Sequence, residues 1–540
     1  FPENGDVEYA LGSLYAEKGD YDKARAQFAR ILRNDPKDIN ALIATGTMEV
    51  SAGNANAALE ALGNAQRLAV QFDNNEAKAQ VLQATGMAYE LLNKSDEALG
   101  NFRQSAEINK KLGNKGGVAN SLREIANVQA SMGQSDAALT SYQQALEIDR
   151  EIGAKKNIGA TYVDLGVLFE GRGQFDKALQ YYKDSLQIQR DLGDETNQAI
   201  CLNNIGNVYL AQGKSDDALI YYQQALQLRE KLAVPIDIAE TLHNLGEGYT
   251  RTNQFDNAMN SYMRSLELRR KAGDSLGAAL ENHGTGMIFL YQGRNGAAVN
   301  SLQTALDGYN EAKDRTRTMA QIANDYADAL TKAGRGGEAA KPLDQARNVA
   351  QELKNDNVMS DILNTQGDVL FYQGDIKGAK NAYQQALQLA TRAKDERRIL
   401  ATKLNLAKSD IALDQQRTAI PVLKQLITQA DSANLKYLSL QCSVALAEAM
   451  IADKDYTGAH RFLEPLLGRS EKLGVRMETA KIHYLLGTAL RLSGETSGAA
   501  GEYKQTLTAL DNMKSEAGAQ NLLTRSDLKH IYDDSTQYSK

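Results

Sequence analysis

Small, aromatic and turn-forming residues recur along the chain at a fixed spacing. Aligned on the turn-forming residue, thirteen stretches each carry Ala five positions later, from Ala24 and Ala58 through Ala218 to Ala459 and Ala499. Seven positions before every turn stands Gly, as at Gly46, Gly166 and Gly246, or Ala, as at Ala126 and Ala407. Bulky side chains accompany both, such as Phe169 and Tyr209 before the turn and Phe102, Tyr182, Tyr222 and Tyr383 after it. This pattern predicts two antiparallel helices per stretch, crossing where small residues let them approach. Gly inside a helix costs about 0.5–1 kcal/mol relative to Ala, so its recurrence needs compensation from close packing. The turn is usually Gly (Gly19, Gly213, Gly374) or Asn (Asn93, Asn253), the residues that most readily take a left-handed backbone at a helix end. Asp414 and Lys454 depart from that rule, and Leu replaces the second-helix aromatic in their stretches. Acids three positions after the turn, as at Asp96, Asp136, Asp176, Asp216 and Asp256, suit the positive end of the following helix.

The expected fold is all-α: a right-handed superhelical solenoid of antiparallel helix pairs. Residues 1–512 are expected to form about thirteen units, the first of 34 residues and the rest of about 40. A C-terminal capping helix is expected over residues 513–540, where Leu522, Leu523, Leu528, Ile531 and Tyr532 follow helical spacing. The repeat also disposes of one apparent motif. Gly213-Lys214-Ser215 looks like the end of a phosphate-binding loop, but Val208 stands where such a loop needs its first glycine. The same turn recurs forty residues to either side without the Lys and Ser, so Gly213 is a helix stop.

Composition narrows the partners. A net charge of −7 gives no basic footprint for nucleic acid. No apolar stretch approaches the roughly 20 residues that cross a bilayer, so no membrane insertion is expected within this chain. Cys201 and Cys442 lie six repeats apart, too far for a bridge when each unit touches only its neighbours. A chain starting at Phe1-Pro2 with no initiating Met is expected to be trimmed or processed. The compartment, cytoplasmic or extracytoplasmic, is left open.

The quoted positions resemble the tetratricopeptide repeat, whose small, aromatic, Ala and aromatic positions fall on Gly206, Tyr209, Ala218 and Tyr222. Pro36 also stands where that family commonly places proline, and the 40-residue spacing is similar to kinesin light chain repeats. A narrower resemblance rests on "FPENGDVEYALGSLYAEKGD", "QRDLGDETNQAICLNNIGNVYLAQG" and "EAGAQNLLTRSDLKHIY", which look like repeat regions attached to bacterial, notably acidobacterial, serine/threonine protein kinases. The chain has no V-A-I-K, H-R-D or D-F-G of its own, so that likeness implies a sensory or docking region without the enzyme.

Function is expected on the inner face, lined by the first helix of each unit. Ten positions before the turns come Asn203, His243, His283, Asn324 and Asn364; nine before come Asn204, Asn244, Asp325 and Asn405; six before come Asn207, Glu247, Asp328 and Asp368. An Asn amide both donates and accepts, so it can hold the backbone of an extended peptide. The family resemblance implies that role for Asn204 and Asn244, then Asn405. The competing reading is that these amides satisfy neighbouring helices or face water. Basic residues on this face are sparse, chiefly Arg123, Arg251 and Lys408, which favours a neutral or basic ligand. His243 and His283 share a register, yet a metal would need further ligands, and Glu247 is the one obvious candidate. No cofactor is expected, and with no nucleophile–base constellation the chain is not expected to be an enzyme. The expected function is a non-enzymatic scaffold for a protein or extended peptide segment. The alternatives are a self-assembling repeat protein associating end to end and the docking region of a signalling kinase.

Overall fold

The computed structural model describes residues 5–540, so the Phe1-Pro2 start lies outside the described residues. The helices are α1 (Gly5–Glu17), α2 (Tyr21–Asn34), α3 (Ile39–Ser51), α4 (Ala55–Gln71), α5 (Asn75–Leu91), α6 (Ser95–Lys111), α7 (Lys115–Ser131), α8 (Ser135–Glu151), α9 (Lys155–Gly171), α10 (Phe175–Leu192), α11 (Glu195–Ala211), α12 (Ser215–Leu232), α13 (Pro235–Arg251) and α14 (Phe255–Lys271). There follow α15 (Ser275–Tyr291), α16 (Asn295–Glu311), α17 (Arg317–Lys332), α18 (Ala340–Glu352), α19 (Asp356–Tyr372), α20 (Ile376–Arg392), α21 (Glu396–Ala412), α22 (Gln416–Ser432), α23 (Lys436–Ala452), α24 (Tyr456–Leu473), α25 (Arg476–Ser493), α26 (Thr496–Lys514) and α27 (Ser526–Tyr538). Each odd-numbered helix from α1 to α9, and again from α13 to α25, packs against the even-numbered helix after it, giving an all-α stack of helix pairs with a terminal helix.

Local chemistry sets the boundaries. Several helices start where a side-chain oxygen accepts a free backbone N–H: Ala77 donates to Asn74 at 3.0 Å, Asn197 to Asp194 at 3.0 Å and Gly277 to Asp274 at 2.8 Å. They end on a left-handed residue. Asp414 (φ 59°) and Lys454 (φ 69°) adopt the same turn as Gly213 (φ 77°), so the two departures from Gly change the cost of the turn and not its geometry. A second series of left-handed residues separates the pairs, among them Gly113, Gly153, Gly193, Ala233, Gly273 and Lys313. The 40-residue unit is therefore two half-units, each a helix of mostly 17 residues and a short turn.

The small position before each turn has a sharper cause than helix crossing alone. A Cβ on Gly86 would stand 2.5 Å from the Phe102 ring, on Gly166 2.4 Å from Tyr182, on Gly246 2.6 Å from Tyr262 and on Gly367 2.4 Å from Tyr383. The ring sixteen residues later, on the second helix, fills the space the missing side chain leaves. Those rings are buried and carry much of the core, as do the invariably buried Ala24, Ala98, Ala218 and Ala379.

The chain divides into two compact units, Phe1–Gln212 and Gly213–Lys540. Within the second, elements distant in sequence meet. The Tyr291 ring on α15 packs edge-on against Tyr437 on α23 at 5.5 Å, and Gly293 lies against the Met477 backbone of α25. The C-terminal segment differs from a single helix over 513–540. α26 runs on to Lys514, and a turn and a short 3-10 segment (Leu522–Thr524) precede α27. Leu522 and Leu528 are buried against the core formed by Leu485, Tyr503 and Leu510, so α27 covers the last pair. The stretch before it reaches back across the unit. Thr524 Oγ1 donates to the Gly334 carbonyl at 2.9 Å, Arg525 donates to the Lys332 carbonyl at 3.2 Å, and the Arg525 guanidinium lies 3.8 Å from the Tyr372 ring centroid. Helical periodicity is a local signal and carries no trace of a contact 190 residues away.

Candidate functional site

The first helices present polar side chains at the registers read from the sequence, and many of these tie one first helix to the next. In α13, His243 Nδ1 lies 3.1 Å from Glu281 Oε2 of α15. Glu281 is fully buried and also accepts from Ser265 at 2.9 Å and Arg269 at 3.1 Å. His283 of α15 does not meet His243; its Nε2 pairs with Asp325 of α17 at 2.8 Å. Asn364 of α19 donates to Thr402 Oγ1 of α21 at 2.8 Å, and Asn405 contacts Asp368 at 3.5 Å. Asn324 is buried and donates to Asp325 at 3.3 Å. Glu247 accepts from Arg251, one helical turn on, at 2.7 Å.

These pairings distinguish the candidates. His243, His283 and Asn364 hold the seams between neighbouring helices, whereas Asn324 bonds to the next residue of its own helix. Asn203 is buried in α11, while Asn204, Asn207 and Asn244 are half-buried. The Asn204 side chain makes no hydrogen bond within the chain among the described residues. Among those residues no group of three or more His, Cys, Asp or Glu could hold a metal ion. None of the helices is long and apolar enough to cross a membrane. Cys201 and Cys442 are buried free thiols.

The positions missed from sequence lie in the second unit. Lys332 and Tyr372 stand two residues before their turns; Glu478 and Lys481 lie near the start of α25; Arg525 and Asp527 precede and open α27. They make the face far less poor in cations than Arg123, Arg251 and Lys408 alone suggest. Lys332 pairs with Asp328 at 2.6 Å, and Asp527 accepts from Arg525 at 2.8 Å and Lys481 at 3.3 Å. Loss of water alone would raise the Asp527 carboxyl, but Arg525 and Lys481 outweigh it and hold the group below the usual range. The available signal was the charged pair set between Leu522-Leu523 and Leu528.

The first unit carries a different cluster. Glu90 of α5, Arg123 and Glu124 of α7 and Asp164 of α9 lie together, with Arg123 Nε 4.0 Å from Asp164 Oδ2 and Arg123 Nη2 3.2 Å from Glu124. Both Arg123 Nε and Asp164 Oδ2 are buried without a hydrogen-bond partner. Burial, assisted by Glu124, pushes Glu90 up to about 7; burial and Glu124, opposed by Arg123, bring Asp164 to about 6.

Repeat geometry of this kind matches known sequence families. The MalT-like TPR region matches residues 206–509, and two further tetratricopeptide repeat models match residues 96–151, 117–191 and 157–231, and residues 1–39 and 9–77. The chain belongs to the tetratricopeptide-repeat family. No curated protein sequence matches it. Similar solved structures include the apo form of RapI, at 14% identity and TM-score 0.47 over 65% of this chain and 98% of that one. The apo form of the quorum sensor NprR from B. thuringiensis is similar at 15% identity and TM-score 0.45, over 64% and 98%. A Rap protein complexed with competence and sporulation factor gives 14% and 0.42, over 73% and 99%. The family match corrects the narrower resemblance: what matches over residues 206–509 is the MalT-like TPR region, and the likeness to kinase-attached repeats is withdrawn.

Proposed function

We propose that this tetratricopeptide-repeat protein is a non-enzymatic scaffold that holds an extended protein or peptide segment against its first helices. The observation that carries this reading is Asn204: a half-buried amide at the family's peptide-contact register, with its donors and acceptor uncommitted within the chain. Buried or half-buried polar groups are normally satisfied, so an uncommitted amide on a concave-side register suits an incoming backbone. Asn244 occupies the same register one repeat on, and Asn207 and Asn405 extend the polar row; the tied His243, His283 and Asn364 keep the helices in register beneath the ligand. Self-assembly end to end is the weaker reading, because α27 covers the last helix pair.

The test is capture from native extract by wild-type protein beside an Asn204→Ala/Asn244→Ala double variant, with both melting profiles recorded. Support requires a partner retained by wild type and lost by a variant that melts like wild type. Equal retention by both removes the two amides from the site, and recovery of further copies of the chain alone favours self-assembly.

A further inference from the structure

Two neighbouring repeats depart from the turn rule, at Asp414 and Lys454, and carry Leu423 and Leu463 where most other repeats place a ring. A cleft of about 820 Å³ opens between them. Its floor is apolar and comes from three helices: Ile420 and Ile427 of α22, Leu446 and Met450 of α23, and Phe462 of α24. Leu446 is buried in the core with Leu423 and Leu426, and the other four pack half-buried against that core. Their remaining surface lies in the cleft, where covering it with an apolar ligand is favourable.

The charged residues lining the same cleft are of two kinds. Asp453 and Asp455 are committed: Arg417 Nε donates to Asp453 at 2.9 Å, and Asp455 accepts the Gly458 N–H at 3.0 Å, capping α24. Lys424 and Arg461 are exposed, and their side chains make no ion pair or hydrogen bond among the described residues. Lys424 shares one face of α22 with Ile420 and Ile427, and Arg461 adjoins Phe462, so each uncommitted cation stands beside the apolar floor. The free charge of the cleft is therefore positive on a chain whose net charge is −7. An apolar floor with two free cations is complementary to a ligand with an apolar body and an anionic head.

We propose that this cleft binds an amphipathic organic anion of the fatty-acid type, its hydrocarbon chain over Ile420, Ile427, Met450 and Phe462 and its carboxylate toward Lys424 and Arg461. The volume lies within the roughly 300–1,000 Å³ of small-molecule sites. Length decides against a peptide helix. From Ile420 to Ile427 the floor follows about 10 Å of α22, whereas a helix about 10–12 Å across needs several turns of contact to reach the about 800 Å² per partner of a stable interface. A single hydrocarbon chain needs no such groove. A cation with the same apolar body is repelled by Lys424 and Arg461, and a neutral alcohol leaves both idle. The cleft is separate from Asn204 and Asn244, so either proposal can fail alone.

The experiment is calorimetric titration of the full chain with decanoate, 1-decanol and decyltrimethylammonium, each below its micelle-forming concentration. Decanoate is expected to bind at least tenfold more tightly than 1-decanol, and decyltrimethylammonium not at all. The double variant Lys424→Met/Arg461→Met should weaken decanoate at least tenfold, and Lys424→Glu/Arg461→Glu should reverse the preference toward the ammonium. The proposal is overturned if decanoate does not bind, if 1-decanol binds equally, or if the neutral double variant, melting like wild type, keeps its affinity for decanoate. Should an acidic amphipathic peptide helix bind wild type and not the neutral variant while decanoate fails, the cleft belongs to a protein partner and the proposal falls. Both substituted residues are exposed; if a variant nevertheless fails to fold, the comparison of the three probes on wild type decides.

Discussion

Around α5, α7 and α9 the first helices set Glu90, Glu124 and Asp164 against a single Arg123, whereas around α17 to α25 Asp328, Asp368, Glu448, Glu478 and Asp527 face Lys332, Lys408, Lys481 and Arg525. One repeat pattern builds both regions. The difference lies in closure: in the second unit the C-terminal segment returns to α17 and α19 and brings Arg525 to Asp527, while in the first unit one guanidinium does not offset burial and Glu90 and Asp164 stay above the usual carboxylate range. In a repeat protein, nearest-neighbour packing sets the fold, and contacts between distant units set the electrostatics of the inner face.

The largest effect that tests this contrast is Arg525→Ala. Arg525 is 4% exposed and lies between Asp527, the Lys332 carbonyl and the Tyr372 ring. Removing it leaves the half-buried Asp527 carboxylate with Lys481 alone, a loss at or below the lower end of the about 3–5 kcal/mol of a fully buried pair broken on one side. Limited proteolysis should then cut near residues 515–525, with the first unit's fragments unchanged. Simultaneous loss of protection in both units would show that they do not respond separately.

Next comes Ala218→Leu, in a buried position with no room for a larger side chain, which should cost about 1–3 kcal/mol. Asn204→Ala, on the polar face, should leave the melting temperature nearly unchanged. Equal losses in the two variants would mean that Asn204 is a structural residue.

A comparable but smaller effect is expected from pH, and it belongs to the first unit. Glu90 and Asp164 have folded-state values near 7 and 6, above the ordinary carboxylate range, so between about pH 4 and 7 the folded state binds more protons than the unfolded chain. Stability from these groups therefore falls as pH rises through that window, by about 1 kcal/mol or somewhat more between pH 5.5 and 7.5. Chemical denaturation at the two pH values measures it, and Glu90→Gln should flatten the slope. A first unit that gains stability on going to pH 7.5 would contradict the cluster's assignment.

Much of the fold was legible because it repeats. The turn positions, the small residues before them, and acids such as Asp96 and Asp176 in the following first turns follow from local spacing. The second turn series had a signal in Gly113, Gly153 and Gly193, each preceding an N-terminal helix start. The candidate site was legible as a register but not as a set of partners: no periodicity says that His243 will meet Glu281 instead of His283, or that Arg525 will cross the unit to Tyr372. Such pairings depend on how the coil closes.

The smallest expected effect concerns that second turn series, where the units differ again. The first unit uses Gly113, Gly153 and Gly193 beside Asp73, while the second, which keeps Gly273 and Gly474, places Ala233, Lys313, Lys354 and Lys394 in the same left-handed backbone, with φ of 57°, 54°, 50° and 56°. A side chain at such a φ is strained by roughly 1–2 kcal/mol, partly offset because Gly loses more freedom on folding. Ala233→Gly should thus stabilise the second unit by about 0.5–1 kcal/mol, and Gly193→Ala should destabilise the first by a similar amount. Paired denaturant melts of the two variants read both changes. If Ala233→Gly instead lowers stability, the stiffness Ala233 gives the unfolded chain outweighs its strain, and the glycine-poor turns of the second unit are a source of its stability and not a cost of its sequence.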